Sequence, residues 1–242
     1  MKITYIDHSG FLLEMPDACF LFDYYKGEIP PIDKNSSLIV FVSHKHQDHY
    51  NPAIFDLVKQ YPNVQFVLSK DIPTKGKISE YEEKGIDLTK CIVTAPKNTS
   101  WSMELSNGRM LEIETLKSTD AGVAFLLTYG EKTFYHGGDL NLWIWEGESK
   151  QYNNNMKAAY FRELEKLKGR RIDVGFVPLD PRLLAYAGKG FESFMEYTQS
   201  SYVFPMHFWG QYSIITEFLE KHPEYKGRIA MLEKTGQEFW IE

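Results

Sequence analysis

A short segment of the chain carries a high density of side chains that bind metal ions. Residues 43–49 read Ser-His-Lys-His-Gln-Asp-His, so His44, His46, Asp48 and His49 lie within six residues. Imidazole nitrogens suit zinc, iron and manganese, and a carboxylate adds negative charge for a second divalent ion. The spacing indicates a two-metal site, with His44 and His46 turned toward one ion and Asp48 and His49 toward the other. The alternative is a solvated polar loop that binds nothing.

The residues before this segment predict how the four side chains are held. Residues 38–42 are continuously apolar, as in a strand buried on both faces, and they end directly at Ser43. The first quarter of the chain predicts an antiparallel meander of strands at 2–6, 10–15 and 18–24. Further strands are predicted at 64–69, 110–117, 123–129, 132–135, 172–177 and 202–205, and helices at 52–60, 153–168, 192–199 and 214–219.

This order of elements predicts the fold class. Each half of the chain has strands followed by alternating strands and helices, and no linker divides the halves. We therefore expect an α/β fold in which two mixed β-sheets pack face to face with helices on both outer faces. A single domain over residues 1–242 is the simplest organisation at this length.

The composition limits the classes of function. The 242 residues are 43% hydrophobic, enough for a full core, and they carry a formal net charge of −6 with a pI near 5.7. This balance argues against nucleic acid and membranes as partners and favours a small-molecule substrate, with a homo-oligomer left open. Cys19 and Cys91 are too few for a disulfide framework, and neither a signal peptide nor a membrane helix is evident. We therefore expect a cytoplasmic protein.

The histidine-rich segment resembles the signature of a known family. The pattern H-x-H-x-D-H after an apolar strand is similar to that of the metallo-β-lactamase superfamily. Asp139, preceded by two glycines at the end of a later strand, and His207, after a strand near the C-terminus, stand at matching places in the chain. Residues 8–14 also resemble the lactonase-like and phosphodiesterase-like branch. The resemblance implies a four-layer αββα sandwich and a metal-dependent, dinuclear hydrolase.

The same resemblance implies how the ligands divide between two divalent ions, either zinc or manganese, with iron as an alternative. The implied ligands are His44 and His46 on the first ion, Asp48, His49 and His207 on the second, and Asp139 as a bridge between them. A hydroxide shared by the ions would attack a small-molecule ester, lactone or phosphodiester. Asp48 would in addition orient this hydroxide, a catalytic role.

One position departs from the family pattern. The family supplies a third histidine to the first ion, but residues 117–123 contain none. Asp120 is the nearest substitute because a carboxylate oxygen can bind a divalent ion where an imidazole nitrogen would. Thr119 is its rival by alignment, and the remaining alternative is that neither binds and the first ion is weakly held. A carboxylate would shift the preference toward manganese or iron beside zinc.

Other residues have both a functional and a structural interpretation. Arg182, after a predicted strand, could bind a phosphate or carboxylate of the substrate, or simply pair with Asp180. His8 and His136 could orient ligands or meet substrate, or be ordinary histidines. Asp23, at the end of an apolar strand, could hold a ligand in place or form a turn.

Two competing functions remain open at this point. A nuclease of the same superfamily would need an arm rich in Lys and Arg to grip a nucleic-acid backbone, and no such insertion is evident. A non-catalytic metal-binding sensor or scaffold of the same fold is the other alternative, and the missing histidine is the reason to consider it.

Overall fold

Thirteen strands and four α-helices make up the computed structural model, which describes residues 1–242. The strands are β1 (Lys2–Asp7), β2 (Gly10–Glu14), β3 (Ala18–Phe22), β4 (Ser37–Val42), β5 (Val64–Ser69), β6 (Ile92–Ala95), β7 (Ser100–Glu104), β8 (Met110–Lys117), β9 (Val123–Tyr129), β10 (Lys132–His136), β11 (Arg171–Pro178), β12 (Gln199–Met206) and β13 (Gln237–Trp240). The helices are α1 (Lys75–Glu82), α2 (Lys150–Leu164), α3 (Lys189–Tyr197) and α4 (Ser213–Lys221). Short 3-10 helices span Pro52–Lys59, Leu88–Lys90, Glu165–Leu167, Pro181–Tyr186 and Pro223–Tyr225.

The strands form two mixed sheets. The first sheet has seven strands in the order β13-β1-β2-β3-β4-β5-β6, antiparallel as far as β3 and parallel from β3 to β6. The second has six strands in the order β12-β11-β10-β9-β8-β7, antiparallel from β7 to β10 and parallel from β10 to β12. The predicted opening meander and the predicted sandwich of two mixed sheets with helices are confirmed.

Aromatic side chains fill the space between the sheets. Phe41 of β4 packs on Phe22 of β3 at 5.2 Å between ring centroids and on Phe125 of β9, in the other sheet, at 5.1 Å. These three rings belong to a cluster of 47 buried apolar residues, and each is fully buried. Burial of a phenylalanine stabilises the fold by roughly 1.5–3 kcal/mol, so this layer fixes the separation of the sheets. The strand ends that carry the histidines are thereby held in place.

Some boundaries differ from those predicted from the sequence. Helix α2 begins at Lys150 rather than at residue 153, because the Ser149 hydroxyl accepts a hydrogen bond from the Tyr152 N–H and caps the helix. Helix α3 covers Lys189–Tyr197 rather than 192–199, because Gln199 already pairs with Arg171 in the sheet. Strand β13 was not predicted: it is four residues long, its side chains alternate between partly buried and exposed, and it pairs with β1. None of the helices has the length and apolar character to cross a bilayer.

A histidine or aspartate of the predicted site, or one close to it, follows the carboxyl end of each of seven strands. The residues that follow are His8 after β1, Asp23 after β3, His44 after β4, Asp120 after β8, Asp139 after β10, Asp180 after β11 and His207 after β12. Parallel neighbours such as β3 and β4, or β11 and β12, have their carboxyl ends on the same edge of the sheet. The edge shared by the two sheets is therefore where these side chains meet.

Close backbone packing at this edge requires glycine at position 122. Gly122 has φ of +65°, and a Cβ there would lie 1.9 Å from the Ser43 carbonyl oxygen. Gly169 has a similar φ of +68° but open space around the same position. A side chain at either position would therefore have to adopt a left-handed backbone, but only at position 122 would it also clash with a neighbouring atom.

We expect Gly122→Ala to destabilise the protein much more than Gly169→Ala. The left-handed backbone costs an alanine about 1–2 kcal/mol at either position, and the overlap with Ser43 adds about 1–3 kcal/mol at position 122 alone. Urea unfolding followed by circular dichroism measures the two free energies of unfolding. Equal losses in the two variants would contradict this account of the packing beside His44.

Candidate metal centre

The carboxylate of Asp139 lies at the centre of the predicted ligands. Its Oδ1 is 3.1 Å from His49 Nε2 and 3.3 Å from His207 Nε2. Its Oδ2 is 3.2 Å from His44 Nε2 and 4.0 Å from His46 Nδ1. One oxygen of Asp139 thus faces each of the two histidine groups.

The nitrogens around Asp139 are buried without hydrogen-bond partners. The Nε2 atoms of His44, His49 and His207 and the Oδ1 of Asp139 make no hydrogen bond of acceptable geometry, and the four side chains are at most 6% exposed. A buried polar atom left unpaired costs about 1–3 kcal/mol, so four at one point need an explanation. Divalent ions explain them, since imidazole nitrogen and carboxylate oxygen are the donors that such ions take. The residues present therefore fit a metal centre.

The other ring nitrogen of each buried histidine is held by a polar group. His49 Nδ1 lies 2.7 Å from Asp23 Oδ2, and His207 Nδ1 lies 2.8 Å from Asp180 Oδ2. His44 Nδ1 donates to the Ser43 hydroxyl at 2.9 Å.

These contacts fix which nitrogen of each ring is protonated. The Ser43 hydroxyl in turn donates to Asp23 at 2.5 Å, so it accepts from His44. With Nδ1 as the donor to Asp23, Asp180 or Ser43, the Nε2 lone pair of each ring points toward Asp139 and is available to an ion.

Asp48 completes the second group. Its Oδ2 is 3.7 Å from His207 Nε2 and 3.9 Å from His49 Nε2, and its side chain is 25% exposed. His8 joins this group, because its Nε2 lies 3.4 Å from the same Asp48 oxygen. The ligand atoms of the four residues all lie within 4.8 Å of one another.

The first group is more exposed and contains the position that departs from the family pattern. His46 and Asp120 have side chains 45% and 54% exposed, and His46 Nδ1 lies 3.8 Å from Asp120 Oδ2. Thr119 is engaged elsewhere, since its hydroxyl donates to the Asn141 carbonyl at 2.6 Å and accepts from the Asn141 N–H at 3.0 Å. Of the two residues weighed as substitutes for the missing histidine, Asp120 is the one that faces the cluster.

The charges in the cluster shift the pKa values strongly. Burial alone would raise the pKa of Asp139, but His49, His207 and His44 outweigh burial and hold that pKa well below its usual value. Burial alone would lower the pKa of His49, but Asp139 and Asp23 hold it well above the usual value. Because an ion needs the Nε2 lone pair, its binding competes with protonation of the His49 ring.

Several neighbouring residues that were open to two interpretations now have a defined place. His136 is satisfied: Nε2 donates to the Ser9 carbonyl at 2.9 Å, Nδ1 accepts from the Gly138 N–H, and the ring stacks on Phe22 at 5.0 Å. Its Nδ1 lies 3.9 Å from Asp23 Oδ2, but His136 is in none of the groups that could hold an ion. Asp23 holds His49, as described, which is the functional one of its two interpretations.

Asp180 has a role that the sequence analysis missed. Its carboxylate pairs with Arg182 through both oxygens and also accepts from His207, so it connects the arginine to a predicted metal ligand. The available signal was that Asp180 and His207 each follow one of two adjacent buried runs. If those strands are parallel neighbours, the two residues must meet.

A cleft of about 260 Å3 opens onto the cluster. One side is formed by metal-binding candidates, among them His46, Asp48 and Asp120. The other is formed by Trp143, Trp145, Tyr152, Met156 and Arg182. The indole rings of Trp143 and Trp145 are stacked with centroids 6.2 Å apart. The volume suits a small molecule.

Comparison with known proteins identifies the family. The model of a family described as a beta-lactamase superfamily domain matches residues 2–154. This chain belongs to the metallo-β-lactamase superfamily. The family predicted from the histidine motif is therefore confirmed. The matched part contains the motif and Asp139 but ends before Asp180 and His207. The position of these two residues beside Asp139 is seen only in the structure.

Individual relatives of this superfamily member are distant. A protein named metal-dependent hydrolase from Opitutus terrae is 28% identical over an alignment of 152 residues, and the match covers 59% of this chain and 64% of that protein. The chain thus matches less than two thirds of the relative's length. Igni18, described as a novel metallo hydrolase from the archaeon Ignicoccus hospitalis, has a TM-score of 0.60 at 17% identity over 100% of this chain and 99% of its own.

A second similar structure is named for a different reaction. CmlA, a diiron β-hydroxylase from Streptomyces venezuelae, has a TM-score of 0.58 at 12% identity over 96% of this chain and 52% of its own. At such identities the likeness shows the fold alone. Because a hydrolase and a hydroxylase share the fold, the reaction must be argued from the site.

Proposed function

We propose that this protein is a dinuclear metal-dependent hydrolase of small molecules. The observation that carries the proposal is the group of buried, unpartnered imidazole nitrogens around Asp139, each fixed through its other ring nitrogen. His44, His46 and Asp120 would hold the first ion, Asp48, His49 and His207 would hold the second, and Asp139 would serve both.

The chemistry follows from this arrangement. When bound, two divalent ions supply Lewis acidity toward a carbonyl or phosphoryl oxygen and acidify a water at neutral pH. Asp48 lines the cleft with a side chain that is 25% exposed, so it would accept a hydrogen bond from the attacking water and orient it. Trp143, whose indole N–H donates to the Asp139 carbonyl at 2.9 Å, closes one wall of the cleft and excludes bulk water.

Asp120 influences which ions bind. A carboxylate in place of a neutral imidazole adds negative charge and a harder donor to the first site. Together with Asp139 it gives that site two carboxylates and two imidazoles. We therefore propose that manganese or iron competes effectively with zinc at this position.

Arg182 indicates the kind of substrate. Asp180 holds its Nε and one terminal nitrogen, and the guanidinium lies over the rings of Trp209 at 4.7 Å and Trp145 at 5.8 Å. The other terminal nitrogen has no hydrogen bond within the chain and remains available at the cleft. We propose that it binds an anionic group, a carboxylate or phosphate, of an ester, lactone or phosphodiester substrate.

Removal of central ligands tests the hydrolase assignment. We expect His46→Ala and Asp139→Ala to lose bound metal and turnover together while the chain still folds, with kcat/KM reduced by at least about 100-fold. His222→Ala, at the end of α4 and outside the cluster, is the matched control. The assay is a panel of p-nitrophenyl esters, lactones and bis-p-nitrophenyl phosphate, with metal content measured in parallel. Stoichiometric metal in the wild type without turnover on any substrate would instead favour a binding module.

Substitution of Arg182 tests the substrate class. We expect Arg182→Gln to raise KM for substrates with a carboxylate or phosphate about 10–100-fold, since a charge-assisted hydrogen bond contributes about 1.5–3 kcal/mol. KM for neutral esters and metal content should stay unchanged. Arg170→Gln is the control, because Arg170 pairs with Glu114 away from the cleft. An equal effect on neutral and anionic substrates would overturn the assignment.

A further inference from the structure

His8 is a buried imidazole in the cluster to which neither the family pattern nor the proposed function gives a role. Its side chain is 2% exposed and its Nε2 has no hydrogen-bond partner. The other imidazole nitrogens in this condition belong to His44, His49 and His207, the buried histidines already proposed as ligands. His8 thus has the same unsatisfied nitrogen as these three, at the same place.

The distances around His8 Nε2 are those of a shared ion. It lies 3.4 Å from Asp48 Oδ2, and within 4.8 Å of the ligand atoms of His49 and His207. Donors bound at 2.0–2.2 Å to one ion stand roughly 3–4 Å from their neighbours. A hydrogen bond to Asp48 is the other explanation, but at 3.4 Å the contact is longer than an ordinary N–H···O bond and lacks its geometry.

The surroundings of His8 fix the direction of its ring. The imidazole packs on the His207 ring at 4.2 Å and on the Trp209 ring at 4.4 Å between centroids. Its backbone is left-handed, with φ of 54°, an uncommon conformation that turns the chain at the end of β1 toward the cluster. The backbone is held there, because the His8 N–H donates to the Tyr5 hydroxyl and its carbonyl accepts from the His207 N–H.

We propose that His8 Nε2 is a ligand of the second metal ion. This assignment rests on the proposed metal centre and adds to it a donor outside the H-x-H-x-D-H pattern. The second ion then has five protein donors, from His8, Asp48, His49, His207 and Asp139. Five protein donors would exceed the four that zinc prefers and would suit an ion of higher coordination number, such as manganese, iron or cobalt.

A cobalt titration of the metal-free full-length protein tests this ligand. Co2+ reports its coordination number through the intensity and position of its visible absorption. The variant is His8→Gly, because glycine adopts a positive φ without strain and leaves a space shaped for an imidazole. We expect the wild type to bind a second equivalent of Co2+ with a weak, six-coordinate spectrum. In His8→Gly this spectrum should intensify and the affinity for the second equivalent should fall at least about 10-fold. His222→Gly is the control and should match the wild type.

Chemical rescue separates metal ligation from hydrogen bonding to Asp48. Both imidazole and 1-methylimidazole can bind an ion, but neutral 1-methylimidazole has no N–H to donate. If His8 is a ligand, both compounds restore the wild-type spectrum of His8→Gly. Rescue by imidazole alone, or a His8→Gly spectrum that superposes on that of the wild type, would overturn the assignment.

Further results and a second variant cover the remaining cases. If the wild type binds no Co2+, both the proposed metal centre and the assignment of His8 are wrong. If the wild type binds Co2+ and the spectrum of His8→Gly is unchanged, only the assignment of His8 is wrong. If His8→Gly does not fold, His8→Asn replaces it, because asparagine also tolerates the left-handed backbone. The same change in spectrum is expected, and its absence would again count against the ligand.

Discussion

Imidazole nitrogens buried without partners around one carboxylate are the constraint on which the rest of this structure depends. Each such atom costs about 1–3 kcal/mol if it stays unpaired, and the chain concentrates them between the carboxyl ends of strands from two different sheets. On the opposite side of two of these rings, Asp23 accepts a hydrogen bond from His49 Nδ1 and Asp180 accepts one from His207 Nδ1. The unpaired atoms lower the free energy of unfolding of the metal-free protein. Features that are unfavourable for folding in this way are typical of functional sites.

The phenylalanine layer between the sheets is what makes this constraint tolerable. Phe22, Phe41 and Phe125 connect β3 and β4 to β9 directly beneath the cluster. This packing resists separation of the strand ends that carry the histidines. Rigid strands also place His44 and His207, which are far apart in the chain, within reach of the same Asp139 carboxylate. Packing thus determines the geometry that the metal chemistry needs.

The sequence revealed the parts of the site that are local. His44 to His49 lie in one loop, and the strands around them show clear periodicity, so both the motif and the two-sheet architecture could be predicted. Partners across the fold were not predicted: Asp180 meets His207 only because their two strands are parallel neighbours, and no pattern in the sequence relates His8 to Asp48. Boundaries failed for a similar reason: Ser149 caps α2 through its side chain, and β13 exists only because β1 offers an edge. Asp120 could be named but not placed without the structure.

The ratio of metal to protein tests the account most directly. Full-length protein is stripped of metal, reconstituted with Mn2+, Fe2+ or Zn2+, freed of excess ions and analysed by inductively coupled plasma mass spectrometry. The account predicts two ions per wild-type chain, and one in Asp120→Ala, where the first ion loses a ligand and the second keeps all of its own. A wild-type ratio of one or below, or a ratio of two that Asp120→Ala leaves unchanged, would contradict it.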